Sequence, residues 1–463
     1  MSLAVAPGGA VTSGWAARAG VSVLAALIAF AVALGRLPLV PVLALAVLVL
    51  VAVVALRFPR PGLYAAVALI ALVPIYWGRP TLGRSLVAVP ATVAALALIL
   101  PALTLIRDVR PQALDAWYVA FIGFLALAGF LNVSHGTGAG LGILWRYLLP
   151  YVVWRALSVR WLNFRALLWV LVAAGCVLSG LAMEERATGS NPFFTWVRPV
   201  YQADQWARSN YRNGVIRTEG SFGEPISFGL FLAVCVIAAV ALVVTVKQLQ
   251  LQLVLLGAAA VMMVAIVDTQ SRVALGVAVV GAAVYLLRVF SPRRAARIVV
   301  IGAIAVAAVV MTPLAGEIQH AISSQQGTSL EAASAQYRLT VLDVLERPSS
   351  YSLIGHRNDQ ATGVSDLGVI QSGLKSLDNE YAYVLVTGGV LTFGALLGLA
   401  LTLIIGSLRI ADPDPLSAAV STAMATVAVA LLVVALLTQF ADIFGIGVAV
   451  LATQAQRRKA VAS

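Results

Sequence analysis

The chain has 463 residues, of which 61% are hydrophobic and 11% charged, with mean hydropathy +0.96 and formal net charge +12. Soluble proteins carry roughly a quarter of their residues as charges, so this composition excludes a water-covered globular domain; lipid has to cover the apolar surface. A nucleic-acid partner is excluded too, because the basic residues fall in short clusters between apolar runs, the pattern of membrane-flanking loops.

The first apolar run, 20–35, passes through Arg36-Leu37-Pro38 into a second, 39–56, and the pair reads as a retained helical hairpin rather than a cleaved signal peptide. Further runs follow at 63–77, 86–106, 114–131, 141–157, 166–183, 226–246, 251–267, 273–290, 298–314, 381–408, 416–437 and 440–456. The expected fold is an all-α integral membrane protein with about 12–14 transmembrane helices. Some runs are short and the one at 141–157 carries Arg146 and Arg155, so one or two of them read as re-entrant or interfacial alternatives. Cys176 and Cys235 both lie inside apolar runs, so no disulfide framework is readable.

If the runs alternate, Arg18, Arg57/Arg60, Arg107/Arg110, Arg155/Arg160/Arg165, Lys247, Arg293/Arg294/Arg297, Arg409 and Arg457/Arg458/Lys459 share one side. That side is expected to be cytoplasmic, with both termini on it. Within a single polytopic domain, 1–463, two long polar loops then face outward, 184–225 and 315–380, and carry most of the acidic residues. In the second loop Thr328-Ser329-Leu330-Glu331 is a capping-box pattern opening a helix at 329–346. Leu330, Tyr337, Val341 and Leu345 recur there at helical spacing, and Arg347-Pro348 ends it.

Three polar constellations stand at loop–membrane junctions. Arg217-Thr218-Glu219-Gly220-Ser221-Phe222-Gly223-Glu224-Pro225 packs one Arg and two carboxylates around a Gly-rich turn. Arg217 there either snorkels as an anchor or meets a ligand. In Asp268-Thr269-Gln270-Ser271-Arg272, Arg272 either pairs with Asp268 or faces an anionic ligand. In Lys375-Ser376-Leu377-Asp378-Asn379-Glu380-Tyr381-Ala382-Tyr383, Asp378 suits a helix N-cap, which leaves Asn379, Tyr381 and Tyr383 unexplained. His356 reads as a solvated loop residue or a substrate contact. Arg338, on the loop helix, pairs with Asp343 or Glu346 or reaches toward the membrane. Guanidinium groups gathered on one side match phosphate oxygens, and a lipid-linked diphosphate is the substrate they fit.

At these points the chain resembles the O-antigen ligase and polymerase superfamily, the Wzy-like membrane glycosyltransferases. The resemblance is carried by Arg217 with Gly220-Ser221-Phe222, by Ser271-Arg272, by Leu353-Ile354-Gly355, and by Asp378-Asn379-Glu380-Tyr381 with Gly388-Gly389, in family order over 210–400. It implies transfer of a glycan from an undecaprenyl-diphosphate carrier to a glycan or lipid-linked acceptor. The reaction would be metal-independent and inverting, without a cofactor, at the outer leaflet of a bacterial inner (cytoplasmic) membrane. A chain-length regulator or a flippase would be a partner. The ligase branch usually has a histidine where this chain has Asp378, which favours a polymerase-like member, and Glu224-Pro225-Ile226 stands where the family turn often has Pro-Asn.

Fixed Arg groups stabilise charge on departing phosphates without a metal, and Arg217 and Arg272 are the candidates for that clamp. Glu219 or Asp378 would orient or deprotonate the acceptor hydroxyl. Arg338, Glu224, Asn379, Tyr381 and His356 are expected substrate contacts. A ligase, a peptidoglycan glycosyltransferase of the shape and division family, and a lipid flippase or transporter are the rivals. Transport is disfavoured at this stage because the helix interiors read as almost free of charge.

Overall fold

The computed structural model describes residues 59–74, 76, 80–81, 86–87, 90–131, 136–196, 211–212, 215–290, 352–355, 380–408, 414–434 and 438–462. In chain order these form α1 (Pro59–Leu72), a hairpin of β1 (Pro80–Thr81) and β2 (Leu86–Val87), α2 (Pro90–Leu105), α3 (Ala113–Leu131) and α4 (Gly136–Ile143). A π-helical turn (Leu144–Leu148) leads into α5 (Leu149–Trp161), then α6 (Phe164–Thr188) and α7 (Pro192–Trp196). A hairpin of β3 (Tyr211–Arg212) and β4 (Val215–Ile216) precedes α8 (Pro225–Thr245), α9 (Leu249–Asp268) and α10 (Arg272–Val289). The last described helices are α11 (Glu380–Leu408), α12 (Pro415–Ala430) and α13 (Thr438–Ala462).

The architecture is all-α, and among the described residues the strands are confined to the two short antiparallel hairpins. Among the described residues, seven helices are long and apolar enough to cross a membrane: Pro90–Asp108, Ala113–Leu131, Phe164–Thr188, Pro225–Thr245, Leu249–Asp268, Arg272–Val289 and Tyr383–Leu408. Arg60–Leu72 and Pro415–Ala430 are apolar but shorter. Each apolar run that falls on described residues folds as helix over most of its length. The runs at 20–35, 39–56 and 298–314, and the helix expected at 329–346, lie outside the described residues.

The helix boundaries follow local chemistry. The run read at 86–106 starts as strand, and its helix begins only at Pro90, where a fixed φ suits a first helical turn. Glu224 accepts from the Ser227 N–H ahead of Pro225, and Asp414 accepts from the Leu416 N–H ahead of Pro415. Both are N-caps that satisfy a donor the first turn leaves open. The cluster Arg457-Arg458-Lys459, read as a loop, lies instead on the last turns of α13.

α8 is the centre of the bundle. It packs against α6, α9, α10, α12 and α13 and buries residues on all its faces. A helix apolar all round belongs in such a core. α9 is also apolar, yet it exposes Leu249, Leu253, Val254, Leu256 and Val264, the mark of a lipid-facing helix.

One end of the bundle is basic and is locked by a buried network. Arg155 on α5, 3% exposed, donates to Asp115 of α3, to Thr453 and Gln456 of α13, and to the Arg110 carbonyl. Asp115 also accepts from the Tyr151 hydroxyl at 2.6 Å and from the Gln112 N–H at 2.8 Å. Beside it Arg457 donates to the carbonyls of Ser158, Val159 and Leu162, satisfying acceptors that the end of α5 leaves open. A buried ion pair is tolerable when its remaining donors and acceptors are used in this way.

α11 is broken at Gly389, whose φ of +82° and ψ of 179° are not helical. The backbone of Ser352 and Leu353 fills the break: the N–H groups of Val390 and Leu391 donate to their carbonyls at 3.0 and 3.2 Å. Gly355, at φ +92°, lies so close to Thr387 and Gly388 that a Cβ would overlap their backbone, and a Cβ on Gly389 would overlap Ile354 and Gly355. Both positions therefore need glycine twice over, for the left-handed conformation and for the close approach.

Candidate functional site

Opposite the basic end, the Gly220–Phe222 turn is held from several sides. Its shape depends on Gly220 at φ +51° and Gly223 at φ +63°, both in the region that favours glycine. The carboxylate of Glu185, near the end of α6 and 1% exposed, accepts the Gly220 N–H at 3.0 Å and the Glu219 N–H, shared between its two oxygens, at 3.3 Å. Asn191 donates to the Gly220 carbonyl at 2.9 Å, and the Tyr76 hydroxyl does so at 3.4 Å. Ser221 donates to the Ala71 carbonyl at 2.6 Å, and the Gln439 amide nitrogen reaches both Ser221 and Ala71 at 3.3 Å. Tyr76 lies beyond the end of α1. Burial first, then the Glu219 and Glu185 carboxyls, pushes its phenol well above the ordinary range, so it acts as a donor.

The segment before this turn docks on the short connection between α9 and α10. The Thr218 N–H donates to the Asp268 carbonyl at 3.2 Å, and Arg217 Nε donates to the Thr269 carbonyl at 3.0 Å. Asp268 pairs with Arg186 of α6 at 3.7 Å. The connection approaches α8 closely because Gly229 has no side chain; a Cβ there would overlap Ala274. Ser271 then caps α10 by accepting from the Ala274 N–H, which leaves Arg272 as the first helical residue, with its side chain exposed.

Of the residues singled out in the sequence, Arg217 docks on the short connection that leads into Arg272. Arg217 is half-buried there, and Glu219 is 2% exposed beside it. Glu224 is the N-cap of α8. Tyr381 lies inside the helix packing and donates to the Ala428 carbonyl at 3.1 Å. Leu353-Ile354-Gly355 and Gly388-Gly389, far apart in sequence, meet at the break in α11. Asp378, Asn379, Arg338 and His356 lie outside the described residues.

Sequence reasoning missed Glu185, Arg186, Asn191 and Gln439, which hold the turn. It also missed charge inside the bundle. Asp442 of α13 is 4% exposed. Arg146, on the π-helical turn, is half-buried within another apolar run. The expectation of nearly charge-free helix interiors is corrected accordingly. The signal was present, since Asp442 is the one acidic residue within its apolar run and Arg146 sits in another; π-turns themselves frequently mark functional positions.

Among the described residues, no group of three or more His, Cys, Asp or Glu side chains is arranged to hold a metal ion. A cleft of about 250 Å³ opens at the basic end among α3, α11 and α13, lined in part by Gln112, Ser407, Gln454, Arg458 and Lys459, remote from the turn just described. No family model, curated protein or solved structure matches this chain. The chain is a polytopic, all-α membrane protein with a built polar turn at one end of its bundle.

Proposed function

We propose that the protein is a membrane glycosyltransferase that extends a glycan at the outer leaflet of a bacterial cytoplasmic membrane. It takes oligosaccharide from an undecaprenyl-diphosphate carrier and adds it to another lipid-linked glycan. One observation carries the reading: the Arg217 segment and the Ser271-Arg272 connection, 52 residues apart across the Arg217–Thr269 bond, form one unit. The meeting of Gly355 with Gly389 supports it in the same way. Arginines on two segments that dock on each other suit a diphosphate leaving group.

In this reading Arg217 and Arg272 stabilise charge on the departing diphosphate, and Glu219 or Asp378 takes the proton of the attacking hydroxyl. Both termini and the basic end face the cytoplasm. Reconstitution with the host's lipid-linked repeat unit is the test. A ladder of lengthening lipid-attached products, unchanged by a chelator, supports chain growth; a single product on a different acceptor makes the protein a ligase. A second reading, a flippase for lipid-linked glycans, is favoured by Asp442 and Arg146 inside the bundle. Its signature is unaltered substrate that crosses the bilayer.

A further inference from the structure

The cleft at the basic end, walled by the residues opening α3, the last turns of α11 and by α13, takes no part in the activity proposed above. Its volume of about 250 Å³ is below the roughly 300–1,000 Å³ of sites that enclose a whole small molecule. Its occupant is therefore a small ion or the head of a larger molecule. The charge of the cleft is of one sign. Arg458, half-buried, and Lys459, exposed, stand on its α13 wall, and its described lining residues include no carboxylate. Asp115, next to Leu114 of the α3 wall, has both oxygens engaged by Arg155, Tyr151 and the Gln112 N–H. Ser421 also lines the cleft, and its hydroxyl accepts from Arg288 of α10 at 2.8 Å, which sets a third cation behind the wall.

The rest of the polar lining, Gln112, Ser407 and Gln454, is buried. Amides and hydroxyls both donate and accept, so a phosphate that carries hydroxyl groups suits this wall, with guanidinium and ammonium groups for its oxygens. The surroundings decide between a free ion and a lipid head. Beside Thr402 and Gly406 of the cleft, α11 exposes Leu397, Leu401, Ile405 and Leu408, which share one face at helical spacing. Acyl chains can lie on that apolar face while the head enters the cleft. Basic pockets between membrane helices hold anionic headgroups in this way. We infer that the cleft is a site for one anionic glycerophospholipid, its phosphodiester at Arg458 and Lys459 and its headgroup hydroxyls at Gln112, Ser407 and Gln454. The bound lipid bridges α3, α11 and α13 at the end that the Arg155 network also ties. The inference is independent of the reaction at the polar turn.

The test is titration of the full-length protein, purified and delipidated in neutral detergent, with phosphatidylglycerol or phosphatidylcholine, bound lipid being counted by native mass spectrometry. Phosphatidylglycerol should bind roughly 30-fold more tightly, about 5-fold for each of two cations, and added salt should narrow the difference. Arg458→Gln with Lys459→Gln should bring the two lipids to one affinity. Gly406 allows a variant that keeps every charge: a Cβ there meets nothing within 4 Å, so Gly406→Leu fills the cleft. It should weaken phosphatidylglycerol binding, with lipid-free melting at or above wild type because leucine suits a helix better than glycine. Inorganic phosphate in excess should not displace the lipid. Equal affinity of the wild type for both lipids, or selectivity that survives the double glutamine variant, overturns the site. Unchanged binding by Gly406→Leu also overturns it, since the cations would then attract lipid at the open surface alone. Displacement by phosphate would make the cleft a free-anion site and overturn the lipid assignment. Should Gly406→Leu melt early, the double glutamine variant decides by itself.

Discussion

Truncating Glu185 should loosen the polar turn more than any change to the turn's own exposed atoms. Its carboxylate accepts two backbone N–H groups, those of Glu219 and Gly220, in a position 1% exposed. Glu185→Ala leaves both without an acceptor, and a stranded buried donor costs about 1–3 kcal/mol. Losing a desolvated carboxylate offsets part of that sum, so the net cost is about 2–4 kcal/mol. Glu185→Gln keeps one acceptor but turns an NH2 group toward the other donor, and about half the cost remains. The effect is local, so hydrogen exchange is the assay: amides of the 217–223 segment should lose protection by roughly 30- to 1,000-fold in Glu185→Ala and less in Glu185→Gln. Exchange within about threefold of wild type in Glu185→Ala would refute the claim that this carboxylate organises the turn.

Arg217→Ala and Arg272→Ala are each expected to lower chain growth by about 100- to 1,000-fold, the usual scale for one electrostatic stabiliser of a leaving group, with normal membrane insertion on fractionation; wild-type activity in both ends the clamp. Gly389→Ala should cost about 3 kcal/mol or more from left-handed strain, overlap with Gly355 and two lost backbone bonds, read as a lowered denaturation midpoint in detergent. Arg155→Leu should cost about 3–5 kcal/mol by stranding Asp115, and adding Asp115→Leu should recover much of it. A double variant no better than the single one would mean the pair is not the unit.

The helices were legible because a span of lipid needs a long apolar run, but the caps Glu224, Asp414 and Ser271 that fix their starts were not read as such, and Glu224 was taken for a substrate contact. Which helix is central was not legible. In water the exposed side of a helix is polar, but here α8 in the core and α9 against lipid are apolar alike, so periodicity carries little information. The two motifs carrying Arg217 and Arg272 were legible at loop–membrane junctions, and the structure docks one segment on the other. Their supports were not: Glu185 stands 35 residues from Gly220, and Gln439 stands 218 from Ser221. Nothing local marks a buried carboxylate that will meet a turn so distant in sequence. Reading the end of α6 as loop hid Glu185 further, because a charge in a loop is ordinary whereas the same charge on a buried helix face demands a partner.

Buried charge inside the bundle raises the transport reading, and the lock at the basic end weighs against it. Asp442 lies one helical turn from Gln439, which bonds Ser221 of the polar turn, so this charge is nearer that end of the molecule. A transporter needs the path from such a site to open toward the other end in each cycle. Here α3, α5 and α13 are tied at the basic end by Arg155, Asp115, Thr453 and Gln456, and separating them would break several charge-assisted bonds at about 1.5–3 kcal/mol each. A static lock suits an enzyme that works from one face only. Cross-linking that end separates the two readings: Arg110→Cys with Gln456→Cys, adjacent through the Arg110 N–H at 3.1 Å, joined by a short bifunctional reagent after Cys176 and Cys235 are replaced by alanine. An enzyme acting at the polar turn should keep its product ladder after cross-linking, with a rate within about twofold, since no step requires α3 and α13 to part. A ladder abolished by the cross-link and restored by its cleavage would show that the basic end opens during turnover, and transport would then be the better account.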